Sequence, residues 1–512
     1  MFSLRAVYRR SLGVSIDQIL ISFVLIFILS IATGHISLES PLLNGKGAIL
    51  AVLLGGSLIA AIRLTRGTQM HDLVLVSGTI ISIFALPRIS EYLWAPDYVN
   101  FPFPKAALNA ETIANALGYI CLGTMLFFFG LLLASAISVR SDHESAYVDL
   151  PAIRIRSGLA LLTFVVAVLF ELMVVRYLEI SPYGKTRLEE GNQLFQLIRV
   201  CIALDEVYFA IVLAILFSNE KLDSPKLVWL SVYTLAFVGL MVSFGSRSVM
   251  LKVMMMIFAG VLVKYHKGFV LSVRAITGAM LAIVLAFAIY PFATEKRIET
   301  ATHFTRDRGA EESTYDSPLT APFYERIKIG PLMRESLDRL GQIDYAVLVL
   351  TQEANTAMLA KYMNVEYLAK SIANTVPGTP FPEAELSTSR VLNIVYRGFT
   401  EEYVKTHGYE AQIWTMWGLS YSLLGWWGGL LGMFGGGLIL GLAYSFICQW
   451  GCVYQPWIKA WFLYTVPPLV IFTHGIDHSV NAVGFSLWQF LLPLFVLVER
   501  RMKISTTPRS SF

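Results

Sequence analysis

Charged residues are scarce in this sequence. Lys, Arg, Asp and Glu make up only 15% of the 512 residues, while apolar residues make up 55%; about 25% charged is usual for a soluble domain. Apolar residues confined to the core of a globule would not produce the mean hydropathy of +0.61. The composition therefore excludes an ordinary soluble protein and predicts that most of the chain lies in lipid.

Features of several other protein classes are also missing. The net charge of +4 is too small over this length to indicate a nucleic-acid partner. No internal repeat and no nucleotide-binding glycine fingerprint is present, so neither ATP nor another cofactor is expected. The cysteines lack zinc-type spacing, which argues against a metal site and a disulfide framework. They are Cys121, Cys201, Cys448 and Cys452.

Long apolar runs are abundant, and about twelve reach the roughly 20 residues that a spanning helix needs. The first, at 14–32, follows three arginines but lacks a small-x-small cleavage pattern, so we expect an uncleaved helix and a mature chain that starts at Met1. The other runs lie near 48–62, 71–87, 112–138, 157–178, 197–218, 227–244, 248–263, 270–292, 424–447, 460–474 and 480–498.

The positions of Lys and Arg predict the orientation of these helices. With a cytoplasmic N-terminus, the inside segments hold 18 Lys and Arg residues and the short outside loops hold eight, as the positive-inside rule requires. We therefore predict an all-α polytopic membrane protein of about 12 transmembrane helices, with both termini cytoplasmic. Helices 1 to 9 occupy residues 1–293, and a re-entrant segment with helices 10 to 12 occupies 413–512.

The polar interval 294–412 is predicted to form one large helical loop domain on the outer face. It contains 30 of the 76 charged residues. Apolar spacing predicts helices over 332–340, 344–359 and 365–375. The three prolines of 376–382 interrupt this pattern, and Ser387 or Thr388 is a candidate N-cap of a further helix.

Arginines on this outer face are candidate phosphate ligands, because a guanidinium donates two parallel hydrogen bonds to phosphate oxygens. Arg247 and its neighbour Ser246 lie in a short turn between two predicted spans, although Arg247 could equally snorkel to lipid headgroups. Arg390 and Arg397 are seven residues apart in the loop helix, so about two turns place them on one side. The alternative for this pair is a solvated salt-bridge surface with the flanking acids Glu383, Glu385, Glu401 and Glu402.

Candidate acid and base groups follow near the last predicted helices. In a helix, His474, Asp477 and His478 share one face, and these residue types can take a proton from a sugar hydroxyl. Glu383 and Glu385 are reserve candidates. Interfacial polar packing is an equal alternative; a divalent metal is less favoured, because Gly475 weakens the helix and no third ligand is near.

Polar and aromatic residues inside or beside apolar runs are candidate substrate-binding groups. Asp205 and Glu206 lie within a predicted span, where ionisable groups usually face a cavity or a partner; pairing with Lys252 or Arg199 is the structural alternative. Trp414, Trp417 and Tyr421 could stack on sugar rings or anchor the chain at the membrane interface. The glycines of 425–437 are expected to permit close helix packing.

This layout resembles that of the bacterial oligosaccharide repeat-unit polymerases, the Wzy class that includes O-antigen and enterobacterial common antigen polymerases. The resemblance covers about residues 160–500 and is one of order and pattern more than identity. The His474–His478 segment departs from it, since another arginine or carboxylate would be expected there. The segments that carry the resemblance are Ser243–Met250, Val376–Pro380, Ser389–Asn393, Leu419–Gly432 and His474–Asn481.

The resemblance implies a GT-C-like, inverting and metal-independent glycosyltransferase of the bacterial inner membrane, with residues 294–412 periplasmic. It would transfer a growing glycan from polyprenyl pyrophosphate to a second lipid-linked repeat unit. Arg247, Arg390 and Arg397 would bind the pyrophosphate, and His474, Asp477 or His478 would be the base. Membrane lipids and a chain-length regulator are further candidate partners.

Three other functions remain open from the sequence. An O-antigen ligase would share nearly every feature, including the lipid pyrophosphate donor. A transporter of polysaccharide or lipid-linked sugar would use Asp205 and Glu206 as a central binding or proton site, but it would commonly show repeated halves, which this sequence lacks. A structural membrane protein is the third.

Overall fold

The computed structural model describes residues 13–15, 17–22, 24–26, 28, 45–89, 110–139, 153–177, 203–218, 224–243, 246, 249–264, 270–272, 343–351, 356–374, 381, 386, 388–397, 400–402, 404, 414–450, 454–472 and 476–500. The helices of the membrane region are α1 (Gly45–Leu64), α2 (His71–Phe84), α3 (Ala110–Val139), α4 (Ser157–Tyr177), α5 (Leu204–Phe217), α6 (Ser224–Ser243) and α7 (Val249–Lys264). The loop region contributes α8 (Asp344–Thr351), α9 (Thr356–Tyr362), α10 (Val365–Ala373) and α11 (Thr388–Arg397), and the C-terminal region contributes α12 (Thr415–Gln449), α13 (Gln455–Ile471) and α14 (Ile476–Leu497).

The described part of the chain is mostly helical, and its apolar helices fit a membrane protein. Among the described residues, three helical stretches are long and apolar enough to cross a bilayer, at His71–Ile89, Thr112–Ser138 and Thr415–Gln449. Large apolar side chains also face outward, such as Leu235 on α6, which is 72% exposed. Such a surface is costly in water. The coarse prediction of an all-α membrane protein is confirmed, while the count of twelve spans extends over residues outside the described ones.

Helices α3 and α12 pack together through glycines. A Cβ atom at Gly437 would meet the carbonyl oxygen of Phe127, and one at Gly130 would meet that of Phe434. The two backbones therefore approach more closely than a side chain would permit. The predicted packing role of the glycine-rich segment is confirmed at these positions.

Helix α12 contains a break at Gly425. This residue has φ 68° and ψ −166°, a region of backbone space that is essentially restricted to glycine. The break separates a ten-residue segment that begins at Thr415 from the long apolar segment that ends at Gln449. The first segment lies beside the loop region and the second packs along the membrane helices.

Short antiparallel strand pairs connect distant helix ends. Strand β1 (Gly13–Ser15) pairs with β3 (Val270–Ser272), and β2 (Ile153–Ile155) pairs with β4 (Val498–Arg500). The predicted helix at 270–292 thus begins with a strand, because its first residues satisfy their backbone groups against the N-terminal segment; residues 273–292 lie outside the described ones. All four strands lie at helix ends that the charge pattern assigns to the cytoplasmic side.

Helices α8 to α11 pack around a small apolar core of their own. Leu359, Leu368, Val391 and Leu392 belong to this core, and Trp414 at the start of α12 closes it. The structure places α10 where apolar spacing predicted a helix, and α11 begins at Thr388, next to the candidate N-cap Ser387. The single helix predicted over 344–359 corresponds to two helices, because α8 ends at Thr351 and α9 begins at Thr356, and the residues between them lie outside the described ones. The predicted helix over 332–340 lies outside the described residues.

Candidate functional site

Helix α14 connects two groups of candidate residues. It packs against α10 and α11 of the loop region and against α5 of the membrane region. Asp477 and His478 lie in its first turn, while Arg390 and Arg397 lie on α11. The structure therefore brings the helix with the candidate arginines against the helix with two of the candidate bases.

Several candidate side chains are not covered by the structure. Arg247, His474, Glu383 and Glu385 lie outside the described residues, and only the backbone is described for Asp477, His478 and Arg397. Arg390 is half-buried, next to the fully buried Val391 and Leu392. The predicted role of Arg390 in pyrophosphate binding stays a prediction, and so do the predicted roles of the other residues named in this paragraph.

The acids at the start of α5 form a polar cluster with α7, α13 and α14. Lys252 Nζ on α7 lies 2.5 Å from Asp205 Oδ2, which realises the pairing considered from the sequence. Ser486 Oγ on α14 donates a hydrogen bond of 2.5 Å to Glu206 Oε1. Trp461 Nε1 on α13 donates one of 2.9 Å to the same Ser486 oxygen. This cluster holds α5 against three other helices.

Ser246 lies between α6 and α7, six residues before Lys252 of this cluster. Its N–H donates to the carbonyl oxygen of Met241 at 2.8 Å, which closes the C-terminal end of α6. Its side chain is buried, and its hydroxyl has no hydrogen-bond partner among the described atoms. Helix α7 then begins at Val249 and carries Lys252 in its first turn.

Two of the three candidate aromatic residues are buried inside protein. Trp414 donates its indole N–H to the Thr388 carbonyl oxygen at 2.9 Å, and Trp417 donates its own to Thr124 Oγ1 at 3.0 Å. Both residues have an exposed fraction of 0%. In this conformation their rings join α12 to α11 and α3, so they offer no open face to a sugar.

Tyr421 is half-buried and belongs to an aromatic cluster at the break in α12. Its ring centroid lies 5.7 Å from that of Tyr119 in an edge-to-face arrangement. Trp426, just past Gly425, lies 4.9 Å from Tyr119. Of the three candidate aromatic residues, Tyr421 is the one that keeps part of its surface exposed. Its contact with a sugar stays a prediction.

The flanking acid Glu401 takes part in a surface cluster of the loop region. Its Oε2 accepts hydrogen bonds from Lys361 Nζ at 3.2 Å and from the Tyr362 hydroxyl at 3.1 Å. Hydrogen bonds to Tyr362 and Glu401 raise the pKa of Lys361, and burial raises the pKa of the Tyr362 phenol. Lys361 is therefore positively charged throughout the neutral range, as expected for a solvated face.

Sequence reasoning missed a buried ion pair between Arg88 and Asp344. From the sequence, Arg88 is one of the eight Lys and Arg residues of the predicted short outer loops, and Asp344 begins a predicted loop helix. Because 256 residues separate them, no local pattern could reveal the contact. Ser486 and Trp461 were missed for the same reason. Comparisons with known protein families, curated proteins and solved structures found no match for this chain.

Proposed function

We propose that this chain is a membrane-embedded glycosyltransferase that polymerises polyprenyl-pyrophosphate-linked repeat units on the outer face of the bacterial inner membrane. The proposal starts from the order of sequence motifs. The observation that supports it best is the packing of α11, with Arg390 and Arg397, against α14, with Asp477 and His478 in its first turn. Candidate cations and candidate bases thus lie on adjacent helices at the boundary between the loop and membrane regions.

The contacts between helix ends agree with the predicted sidedness. The Arg88–Asp344 pair joins a predicted outer helix end to the predicted outer loop. The two strand pairs join helix ends that are all predicted to be cytoplasmic. Lys264 donates to the Leu216 carbonyl oxygen, again between two predicted cytoplasmic ends. This agreement supports one outer face that holds the loop region and the candidate site.

In the proposed reaction, an acceptor sugar hydroxyl attacks the anomeric carbon of the donor as the bond to the pyrophosphate oxygen breaks. The arginines stabilise the negative charge that develops on the leaving pyrophosphate, and such pre-placed cations are effective in sites that exclude water. Asp477 or a nearby histidine removes the proton of the attacking hydroxyl. Attack from the opposite face inverts the anomeric configuration.

The test is a gene deletion in the host, followed by gel analysis of extracted surface glycans. The deletion is complemented with wild type, Arg390→Ala, Arg397→Ala or Arg247→Ala, each at equal protein level. We expect the ladder to collapse to a single repeat unit in the deletion and in these variants. Arg390→Lys should recover part of the polymer, because lysine keeps the charge but loses the two-pronged geometry.

Arg66→Ala is the matched control, since Arg66 is an exposed arginine on the predicted cytoplasmic side. It should give the wild-type ladder. Accumulation of long lipid-linked polymer in the deletion would instead identify a ligase. An unchanged ladder in the deletion would contradict both the polymerase and the ligase functions. Assays of substrate movement in vesicles would then test the transporter alternative at Asp205 and Glu206.

A further inference from the structure

Asp205 and Glu206 are adjacent in sequence but have different partners. Asp205 forms an ion pair with Lys252, at 2.5 Å. Glu206 is bound instead by the neutral hydroxyl of Ser486, and no ion pair to it is found within the described residues. The positive charge of Lys252 is thus paired with Asp205 and not with Glu206.

Ser486 links Trp461 to Glu206. An indole N–H can only donate, so Trp461 uses a lone pair of Ser486 Oγ at 2.9 Å. Ser486 Oγ also lies 2.5 Å from Glu206 Oε1, and a hydroxyl can donate to an unprotonated oxygen or accept from a protonated one. Oε1 therefore has a hydrogen-bond partner in either protonation state of Glu206.

The environment of Oε2 is unfavourable for a negative charge. Glu206 is 8% exposed, and Oε2 is buried without a hydrogen-bond partner among the described atoms. The charged groups acting on it are Asp205, which repels a second negative charge, and Lys252, which is paired with Asp205. Tyr464 of α13 faces the same three groups, and α4, which packs against α5, carries the buried acid Glu171.

Burying an unpaired carboxylate costs far more than burying a neutral acid, so such groups commonly keep their proton. We propose that Glu206 is a neutral carboxylic acid inside the helix bundle, beside the Asp205–Lys252 ion pair. Because a neutral acid cannot take up a proton, Glu206 is not the base of the proposed glycosyl transfer. The neutral state itself does not depend on the glycosyltransferase proposal.

Infrared difference spectroscopy of the purified full-length protein tests this directly. Wild type minus Glu206→Gln should show the C=O stretch of a protonated carboxylic acid near neutral pH, with a shift on transfer to heavy water. Wild type minus Asp205→Asn, the neighbouring control, should lack this band and show the loss of a carboxylate band. A carboxylate band lost in Glu206→Gln would overturn the proposal.

Thermal unfolding in detergent gives a second, independent measurement. Glu206→Gln replaces a neutral acid by a neutral amide of the same shape, so its Tm should match that of wild type. Asp205→Asn leaves Lys252 without its partner and should lower the Tm by several degrees. Equal losses in the two variants would mean that both acids are ionised and would refute the assignment. Neither measurement requires activity, so a failed polymerase assay leaves this test intact.

Discussion

Arg88 and Asp344 form a buried, two-pronged salt bridge between the membrane region and the loop region. Arg88 Nε lies 2.9 Å from Asp344 Oδ1, and its terminal nitrogen lies 2.7 Å from Oδ2. The two side chains are 2% and 9% exposed. Arg88 follows α2, and Asp344 is the first residue of α8, which also packs against α3 and α12. This pair therefore fixes the position of the loop region on the helix bundle.

Removing one partner of this pair should be strongly destabilising. Asp344→Ala leaves a buried guanidinium without its counter-charge, which typically costs roughly 3–5 kcal/mol. Thermal unfolding and limited proteolysis of the purified protein measure the effect, and we expect early cleavage in the loop region. Asp344→Ala combined with Arg88→Met should lose less stability than Asp344→Ala alone, because no buried charge is left unpaired.

The control for this prediction is the exposed pair of Lys370 and Glu366 on α10, at 2.7 Å. Exposed pairs one helical turn apart contribute about 0.3–0.5 kcal/mol. Glu366→Ala should therefore leave both readouts close to those of wild type. A comparable loss in the Glu366 and Asp344 variants would rule out a special role for the buried pair.

Gly425→Ala should destabilise the protein through backbone strain alone. The added Cβ meets no atom within 4 Å, but the backbone of Gly425 has φ +68°, and a side chain in this region costs on the order of 1–3 kcal/mol. Gly436→Ala is the matched control, since Gly436 lies in the regular part of α12 with open space around it. It should be neutral or slightly stabilising, because alanine favours helix. Similar unfolding temperatures for the two variants would contradict the break at Gly425.

Gly437→Ala should destabilise the contact between α3 and α12. Its Cβ would meet the backbone of Phe127, which cannot move without displacing the helix. Gly435→Ala, two residues away in open space, adds the same methyl group without this clash. Overpacking typically costs about 1–3 kcal/mol, so unfolding in detergent should separate the two variants. If they unfold alike, the close approach of these helices is wrong.

Trp414→Phe separates an architectural role from sugar stacking. The substitution keeps an aromatic ring but removes the N–H that donates to Thr388, and losing a buried hydrogen bond costs about 1–3 kcal/mol. We expect lower stability, with polymer yield per folded protein unchanged. Trp427→Phe, at a residue that is 77% exposed, should change neither. Normal stability with reduced polymer in Trp414→Phe would favour direct stacking on substrate.

Local sequence patterns predicted many of the helices. Apolar runs of spanning length predicted the positions of α1 to α4, α6 and α7, because the bilayer requires backbone groups to be satisfied within the helix. In the loop region, apolar spacing predicted α10, and a candidate N-cap at Ser387 or Thr388 predicted α11. The glycines of α12 indicated close packing, since a missing Cβ is visible in the sequence itself.

Composition and apolar runs alone thus determined the class of protein and its main apolar helices, and the charge pattern predicts the face on which hydrophilic chemistry is concentrated. Only the tertiary structure decided which distant residues meet: Arg88 with Asp344, and Ser486 with Glu206 and Trp461. It also decided that Trp414 is buried while Tyr421 keeps an exposed surface. Periodicity reports the face of a single helix, whereas these contacts depend on how separate helices pack. That packing is set by the sum of many weak interactions across the whole bundle.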